Sequence, residues 1–378
     1  MIIGNPILIG AKKEVTEKDV NFYDYDGTLL RSYTLAEAQA LTELPPLPKR
    51  EGLTCQGWNY DLATIKSYGR KVNIGATYIT DDGTTRIYIK LEDGRTSPML
   101  GVCPNGTVDV DWGDGTAHDT LTGTSTSDVK WTPTHNYASA GEFVIKLTVT
   151  GSMGFYGSPL SDEYAGILRY SSAADGRNKV YQNAVQKVEI SNGVTSIGGS
   201  AFRNCYSLSN VVIPNSVTSI GSYAFNACSS ISSIVIPNSV TSIGGSAFRN
   251  CYSLSSIIIP NGVTSIGDYE FYNCYSLSSI IIPNGVTSIG GYAFYNCYSL
   301  SSIIIPNGVT SIGSYTFRSC AGMKYYDFST HTSVPTLSNT NAFTDIPADC
   351  EIRVPAALYD SWIAATNWST YASYIVAV

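Results

Sequence analysis

The chain has 378 residues, of which 43% are hydrophobic and only 14% charged, with a formal net charge of -7 and a sequence pI near 5.0. That balance describes a folded chain long enough for two or three domains rather than a disordered one. An acidic sequence without a lysine or arginine cluster is a poor partner for nucleic acid or an anionic membrane, and no apolar run reaches the roughly 18 residues of a membrane helix.

The amino terminus, MIIGNPILIGAKKEVTEKD, has a short apolar start but no basic residue before it, no long apolar core and no small-residue cleavage site. The sequence therefore predicts no standard secretory signal. The first predicted element is a hairpin, since Asp26-Gly27 in NFYDYDGTLL lies between extended aromatic and β-branched runs. The word Asp24-Tyr25-Asp26-Gly27-Thr28 also resembles the opening of the nucleophile loop of haloacid-dehalogenase-type phosphatases. Such an enzyme needs its first aspartate at the end of a buried parallel strand leading into βαβ units, with a later lysine and a further acidic pair. Here a short helix capped by Thr34, a Pro45-Pro46 break and more β pattern follow, so the word is read as a turn. The hairpin, LPPLP and GLTCQGWN together look like a module of phage or prophage proteins of gut Firmicutes. That resemblance implies an attachment role for residues 1–68.

A second hairpin is predicted at Asp82-Gly83 in ATYITDDGTTRIYIKL. In VDVDWGDG, Val108, Val110 and Trp112 alternate with Asp109 and Asp111, and Phe143, Ile145, Leu147 and Val149 alternate likewise after THNYASAGEF. Both stretches read as half-buried strands of a β-sandwich. The W-G-D-G turn and the His135/Tyr137 strand resemble the PKD-like immunoglobulin fold, which implies such a domain over residues 69–151. Asp109, Asp111 and Asp114 miss the EF-hand spacing by one residue and lack its glutamate, so they are read as turn formers rather than calcium ligands. Residues 152–187 show no clean period and are read as a connector with a solenoid cap.

From about Val188 a repeat takes over. Cys205, Cys228, Cys251, Cys274, Cys297 and Cys320 lie 23 residues apart, and Pro, Gly and Phe columns share that period. A fixed period of this length marks a solenoid whose rungs cannot bury their apolar faces alone. In one unit, Leu254, Ile257 and Ile259 form a short inward-facing strand, Val263 and Ile266 a second, and YEFYNC roughly one helical turn with Phe271 and Cys274 on one face. These residues resemble the leucine-rich repeats of BspA-like bacterial surface proteins. Stacking at about 4.8 Å per rung would make six rungs on the order of 30 Å long. Each cysteine is read as a small buried hydrophobe, because zinc would want close Cys or His pairs and parallel side chains suit disulfides poorly.

The positions flanking the buried Phe and Cys carry Tyr269, Tyr272 and Tyr275, then Tyr292, Tyr295 and Tyr298 one rung on. Arg203 with Tyr206, and Arg249 with Tyr252, extend these columns one way; Tyr315 with Arg318 extends them the other. Tyrosine gives a rigid amphipathic surface at low entropic cost, so this is the candidate ligand-binding patch. Stacking between duplicated rungs is the competing reading of the same columns. A second candidate surface is the apolar stripe of outward strand residues Val212, Val235, Ile258, Ile281 and Ile304, open for contact or covered by a neighbouring domain or subunit. Past Cys320 the repeat decays through a last Ala342-Phe343, a strand around Ile352 and a helix from about Pro355, as a cap should.

The expected fold class is thus mainly β and multidomain: a β-hairpin module (1–68), a PKD-like β-sandwich (69–151), a connector and cap (152–187), leucine-rich repeats (188–320) and a C-terminal helical cap (321–378). His118, His135 and His331 fall in no catalytic or metal motif, so no enzyme activity, cofactor or metal is expected. The module order implies a phage virion protein, in a tail or surface appendage. It would meet a host cell-surface glycan or protein through the repeats and other virion proteins through its amino-terminal module, and appendages on symmetric particles are often homo-oligomers. The alternative is a cell-surface or secreted BspA-like adhesin.

Overall fold

The structure, a computed structural model, describes residues 18–59, 62–67, 72–157, 166–171, 178–180 and 183–378. The amino-terminal signal reading falls mostly outside the described residues, as does much of the expected connector.

The first hairpin forms where Asp26-Gly27 places it: β1 (Val20–Tyr23) runs antiparallel to β2 (Leu29–Tyr33). Gly27 takes the turn at φ +84°, and the Gly27 N–H donates to the Asp24 carbonyl at 3.1 Å. Asp24 is fully buried; its carboxylate accepts from the Tyr25 N–H at 2.9 Å and pairs with Arg50. Helix α1 (Leu35–Gln39) starts at a Thr34/Glu37 capping box, in which each side chain bonds the other residue's backbone N–H. Then come β3 (Leu53–Trp58), α2 (Leu62–Ser67) and β4 (Val72–Thr80).

Here two expectations are corrected. Strand β4 does not pair with β5 (Thr85–Leu91) as a hairpin; it sits between β1 and β3 in a four-stranded sheet of order β2-β1-β4-β3. The Asp82-Gly83 turn is present, with the Thr84 N–H on Asp82 Oδ1 at 3.0 Å, but it leads from one sheet into another. Every residue of β4 is buried, which a central strand permits and an exposed hairpin arm does not. The expected boundary after residue 68 accordingly moves to the Asp82 turn.

In the second module β5 pairs antiparallel with β9 (Gly141–Phe155), and β9 with the C-terminal part of β6 (Pro98–Asp111). Strands β7 (Asp119–Thr124), β8 (Lys130–Trp131) and β10 (Leu168–Ser171) also lie against β6, and β11 (Asn178–Val180) against β10. Two of the three aspartates form turns as expected, Asp111 Oδ1 accepting from the Gly113 N–H at 2.8 Å and Asp114 Oδ1 from the Thr116 N–H at 3.1 Å, whereas Asp109 lies within β6 and its Oδ2 bonds His118 Nδ1 at 2.8 Å. His135 bonds Asp114 at 2.9 Å and stacks on Trp112 at 4.5 Å, while the Tyr137 hydroxyl donates to the Trp112 carbonyl at 2.8 Å.

This module and the repeats share sheets. Strand β12 (Val185–Glu189) pairs antiparallel with β5 and parallel with Asn210–Val212, the strand of the next rung. Strand β13 (Val194–Ile197) pairs parallel with both the end of β9 and Ser219–Ile220. Both solenoid sheets therefore start on strands of the second module, and one buried cluster runs from Ile87 to Ile375. The first rung's open edge is covered in this way.

The rungs stack in register at the 23-residue offset: Ile234 opposite Ile257, Ile257 opposite Ile280, Ile266 opposite Ile289. The Phe column stacks from Phe202 to Phe317 with successive centroids 5.4 to 5.8 Å apart, and Phe343 of the cap continues it at 5.3 Å. Helix α3 (Tyr359–Ala364) then places Trp362 over the end of the core. The cysteines are buried as expected, with a refinement. Each thiol of Cys228, Cys251, Cys274, Cys297 and Cys320 donates to the Phe carbonyl of the preceding rung at 3.0 to 3.3 Å, which an alanine would not do. Burial pushes the Cys205, Cys251 and Cys320 thiols up to about 12. Because only Cys55 of the nine cysteines is even partly exposed, a thiol-specific disulfide reagent is expected to titrate no more than one thiol in the native chain and nine after denaturation. Rapid native titration of several thiols would contradict this burial.

The segment read as a helical turn is not helical. Each rung carries two non-glycine residues at φ between 56° and 62°, such as Tyr269 and Asn273 or Tyr292 and Asn296. These left-handed residues turn alternate amides along the solenoid axis, so that Tyr269, Phe271 and Asn273 donate to Gly291, Ala293 and Tyr295 of the next rung. Intervening amides close turns within the rung, as Tyr272 does onto Tyr269. Two rungs depart from the alanine column of Ala201, Ala224, Ala247 and Ala293: Thr316 and, with a carboxyl, Glu270 stand there, both fully buried. Glu270 Oε2 accepts from the Gly267 N–H at 2.5 Å, and among the described residues Oε1 has no partner.

Candidate ligand-binding surface

The two surfaces expected from the repeats have different fates. The apolar stripe is covered by the chain itself, because the amino-terminal sheet lies on it. Ile258 belongs to the cluster of Val20, Phe22 and Ile74, while Val212 packs with Leu53, Ala76 and Tyr78. The approach is close at Gly75, where a Cβ would come within 2.6 Å of Val235 Cγ1. Gln56 ties the edge, its Oε1 accepting from the Asn215 N–H at 2.9 Å. Only the far end of the stripe, Ile281 and Ile304, stays partly open, beside a cavity of about 110 Å³ that Asn73 and Tyr325 also line. This surface serves intramolecular packing.

The tyrosines, by contrast, face outward. Tyr269 and Tyr292 stack at 4.7 Å with planes 5° apart, Tyr292 and Tyr315 at 4.8 Å, and Tyr272 and Tyr295 at 4.9 Å. These are strand spacings, so the rings inherit the register of the rungs. The two columns touch, with Tyr269–Tyr272 at 5.6 Å and Tyr292–Tyr295 at 5.8 Å. Arg249 closes one end, lying over Tyr269 and Tyr272 at 5.3 and 4.9 Å, and Arg318 the other, over Tyr315 and Tyr295 at 5.5 and 5.9 Å. Asp345 holds Arg318 from behind at 2.9 Å. With both ends of the block covered by guanidinium groups, it offers ring edges and phenol hydroxyls to solvent.

Tyr252, Tyr275 and Tyr298 form a separate column at 5.0 and 5.1 Å, and are exposed by 42, 36 and 45%. The two end rings are more open than the middle one, since each has one face without a neighbour. No aromatic contact joins this column to the Tyr269/Tyr272 block among the described residues, so the expected single six-tyrosine patch is two adjoining ones. Tyr206 stands in the same column as Tyr252, but Ser229 holds the rung between them. Arg203 is drawn to Tyr223 at 4.8 Å, a tyrosine outside the expected patch whose column contains Tyr269. Burial, and then neighbouring phenols, raise the ionisation of Tyr272, Tyr275 and Tyr292, which keeps these hydroxyls neutral donors and acceptors.

Beside the Tyr269/Tyr292 column runs a groove of about 440 Å³ that the sequence did not announce. Gly290, Gly291 and Gly313 lie along its bottom, with the two tyrosines on one side, Ser288 and Ser311 on the other, and Asp268 at one end. Asp268 Oδ1 accepts from the Gly291 N–H at 2.6 Å. A repeat glycine next to an outward tyrosine, recurring beside a serine column, is the signal that would have pointed to it.

The family model described as BspA type leucine rich repeat region (6 copies) matches residues 176–290 and again 242–356. Among solved structures, a leucine-rich repeat protein from Bacteroides ovatus is 24% identical, with 44% of this chain and 48% of that one covered at a TM-score of 0.34. A T. pallidum leucine-rich repeat protein is 25% identical over 55% of this chain and 91% of that one, TM-score 0.38. A leucine rich cell surface protein from Faecalibacterium prausnitzii is 28% identical over 48% and 57%, TM-score 0.29. The match therefore spans about half the length of the first and third of these proteins. No curated protein matches the sequence. No helix among the described residues is long and apolar enough to cross a membrane. The family model thus lies across the 23-residue rungs that stack in register, and the repeat part of this chain is similar to BspA type leucine rich repeat regions.

Proposed function

We propose that the chain is a non-enzymatic binding protein of the BspA-like adhesin type, acting at a cell surface or after secretion, and that the tyrosine flank of its repeats meets the ligand. One observation carries the reading. Tyr269, Tyr292 and Tyr315 sit at φ 57° to 58°, a conformation that costs an ordinary residue about 1–2 kcal/mol. Every residue at this position bears that cost, serine included, so the rings add to the rung only the about 0.5–1.5 kcal/mol of each stacked pair. Equivalent rungs fold with Ser200 and Ser246 at this position, which makes the bulky rings a choice that stability does not require.

The test is binding of the labelled full chain to epithelial cells and to intact Firmicutes cells, with Tyr272→Ala plus Tyr295→Ala as the variant. At least a tenfold loss of cell binding with an unchanged melting temperature is expected; undiminished binding would remove the flank from consideration. The virion setting is the second reading, favoured by the resemblance of the amino-terminal residues, and it shares the same ligand-binding half. Binding to bacterial rather than epithelial cells would support it.

A further inference from the structure

We propose that the groove between the Tyr269/Tyr292 column and the Ser288/Ser311 column is a subsite for a linear, neutral hexopyranose polymer lying along the solenoid axis. This rests on the reading that the tyrosine flank binds an extracellular ligand, and it names the class of that ligand.

The chemistry of the walls selects the class. Ser288 and Ser311 line the groove as half-buried strand residues beside the inward Ile289 and Ile312, and among the described residues neither hydroxyl is hydrogen-bonded within the protein. Across from them stand the edges of Tyr269 and Tyr292, their rings 4.7 Å apart. A sugar hydroxyl both donates and accepts, as do serine and phenol hydroxyls, so a wall made of such groups matches a polyol at every position. A protein partner would look for an apolar anchor pocket, and the two apolar residues at the groove, Ile289 and Ile312, are buried beneath it. The Asp268 carboxylate at the end of the groove is exposed, suited to accept from adjacent sugar hydroxyls and repellent to a uronate or a phosphate polymer. Arg249 and Arg318, the nearby cations, are engaged by the ends of the tyrosine block. Because the walls repeat with the rungs, at about 4.8 Å, a polymer of pyranose units meets like groups in succession, which a single sugar does not.

The floor is what makes room. Gly291 shares its column with Asp268 and Ser314, so neighbouring rungs carry a side chain where this rung has none. A Cβ at Gly291 would approach nothing closer than 3.3 Å, the Ser314 carbonyl oxygen. That contact is tight and asks the neighbouring backbone to give by a few tenths of an ångström, and a side chain there fills the groove.

The proposal is tested by affinity electrophoresis of the full chain in native gels containing a neutral β-glucan, a neutral mannan or polygalacturonate. Gly291→Asn is the filling variant, and Gly199→Asn, in the same column outside the groove, is the control; its Cβ meets nothing closer than 3.4 Å. Expected is retardation by a neutral polymer, weakened at least tenfold in Gly291→Asn and unchanged in Gly199→Asn. No retardation by either neutral polymer, stronger retardation by polygalacturonate, or equal behaviour of the two glycine variants would overturn it. Cell binding that falls with the Tyr272/Tyr295 pair but ignores Gly291→Asn would sink the groove alone and leave the flank reading standing.

Discussion

Replacing Glu270 by Gln is expected to abolish a pH dependence of stability that the wild-type chain shows between about pH 4.5 and 8. Burial raises the Glu270 carboxyl to about 8, against the lowering effect of the Gly267 N–H. In the unfolded chain the group ionises near its ordinary value, so between the two values the native state holds a proton that the unfolded state has lost. Stability is therefore undiminished below about 4.5, falls as the pH rises, and levels off above about 8. At pH 7 the loss is of order 3 kcal/mol, from about 1.36 kcal/mol for each pH unit between the unfolded value of 4.5 and pH 7. Glu270→Ala, which restores the column of Ala247 and Ala293, should raise the melting temperature at pH 7 and lose that advantage at pH 4. Urea midpoints of the three proteins from pH 4 to 9 measure it, and a wild-type profile parallel to that of Glu270→Gln would contradict the assignment.

Removal of residues 1–80 is expected to make the chain self-associate. The deletion ends at Thr80, where the backbone leaves the first sheet, and strips the cover from Val212, Val235 and Ile258. Re-exposing side chains of this size costs about 1.5–3 kcal/mol each. Their strands also form an unbroken stripe, the kind of surface that seeks another chain. Raised binding of a fluorescent hydrophobic dye and a shift to larger species on size exclusion should appear together, and Val235→Ser with Ile258→Ser should reverse both. A deletion variant that stays monomeric and dye-free would show that the sheet is not a cover. The same geometry bears on any attachment role for this module, since the face it turns to the solenoid is not free to hold another protein.

How much of this was legible depended on whether the deciding interaction was local. The repeat was plain, because Pro, Gly, Phe and Cys columns at one period have no other common cause than stacking. The Asp26-Gly27 hairpin and the Asp111 and Asp114 turns were legible for the opposite reason, as each is settled within a few residues. The Asp82-Gly83 turn gave an equally good local signal, yet its flanking strands part, since β9 and β12 compete for β5 from far along the chain. The segment around Phe271 was read as helical because a three-residue spacing of inward side chains is common to a helix and to a pair of turns with left-handed residues. Asn204, Asn250, Asn273 and Asn296, a residue suited to positive φ at one column, carried the distinction. Glu270 was legible in principle as the one acidic residue in an alanine column. The covering of the apolar stripe had no signal at all beyond the hydrophobicity of both partners.

The central claim is that in-register rungs hold tyrosines outward for a ligand and not for the rungs' own stability. Tyr292→Asn tests it most directly, because asparagine accepts the left-handed conformation already used by Asn273 and Asn296 while deleting the ring. A melting temperature within a degree or two of wild type, together with at least a tenfold loss of cell binding, is the expected result. A large fall in melting temperature with binding intact would show that the rings are structural and contradict the account.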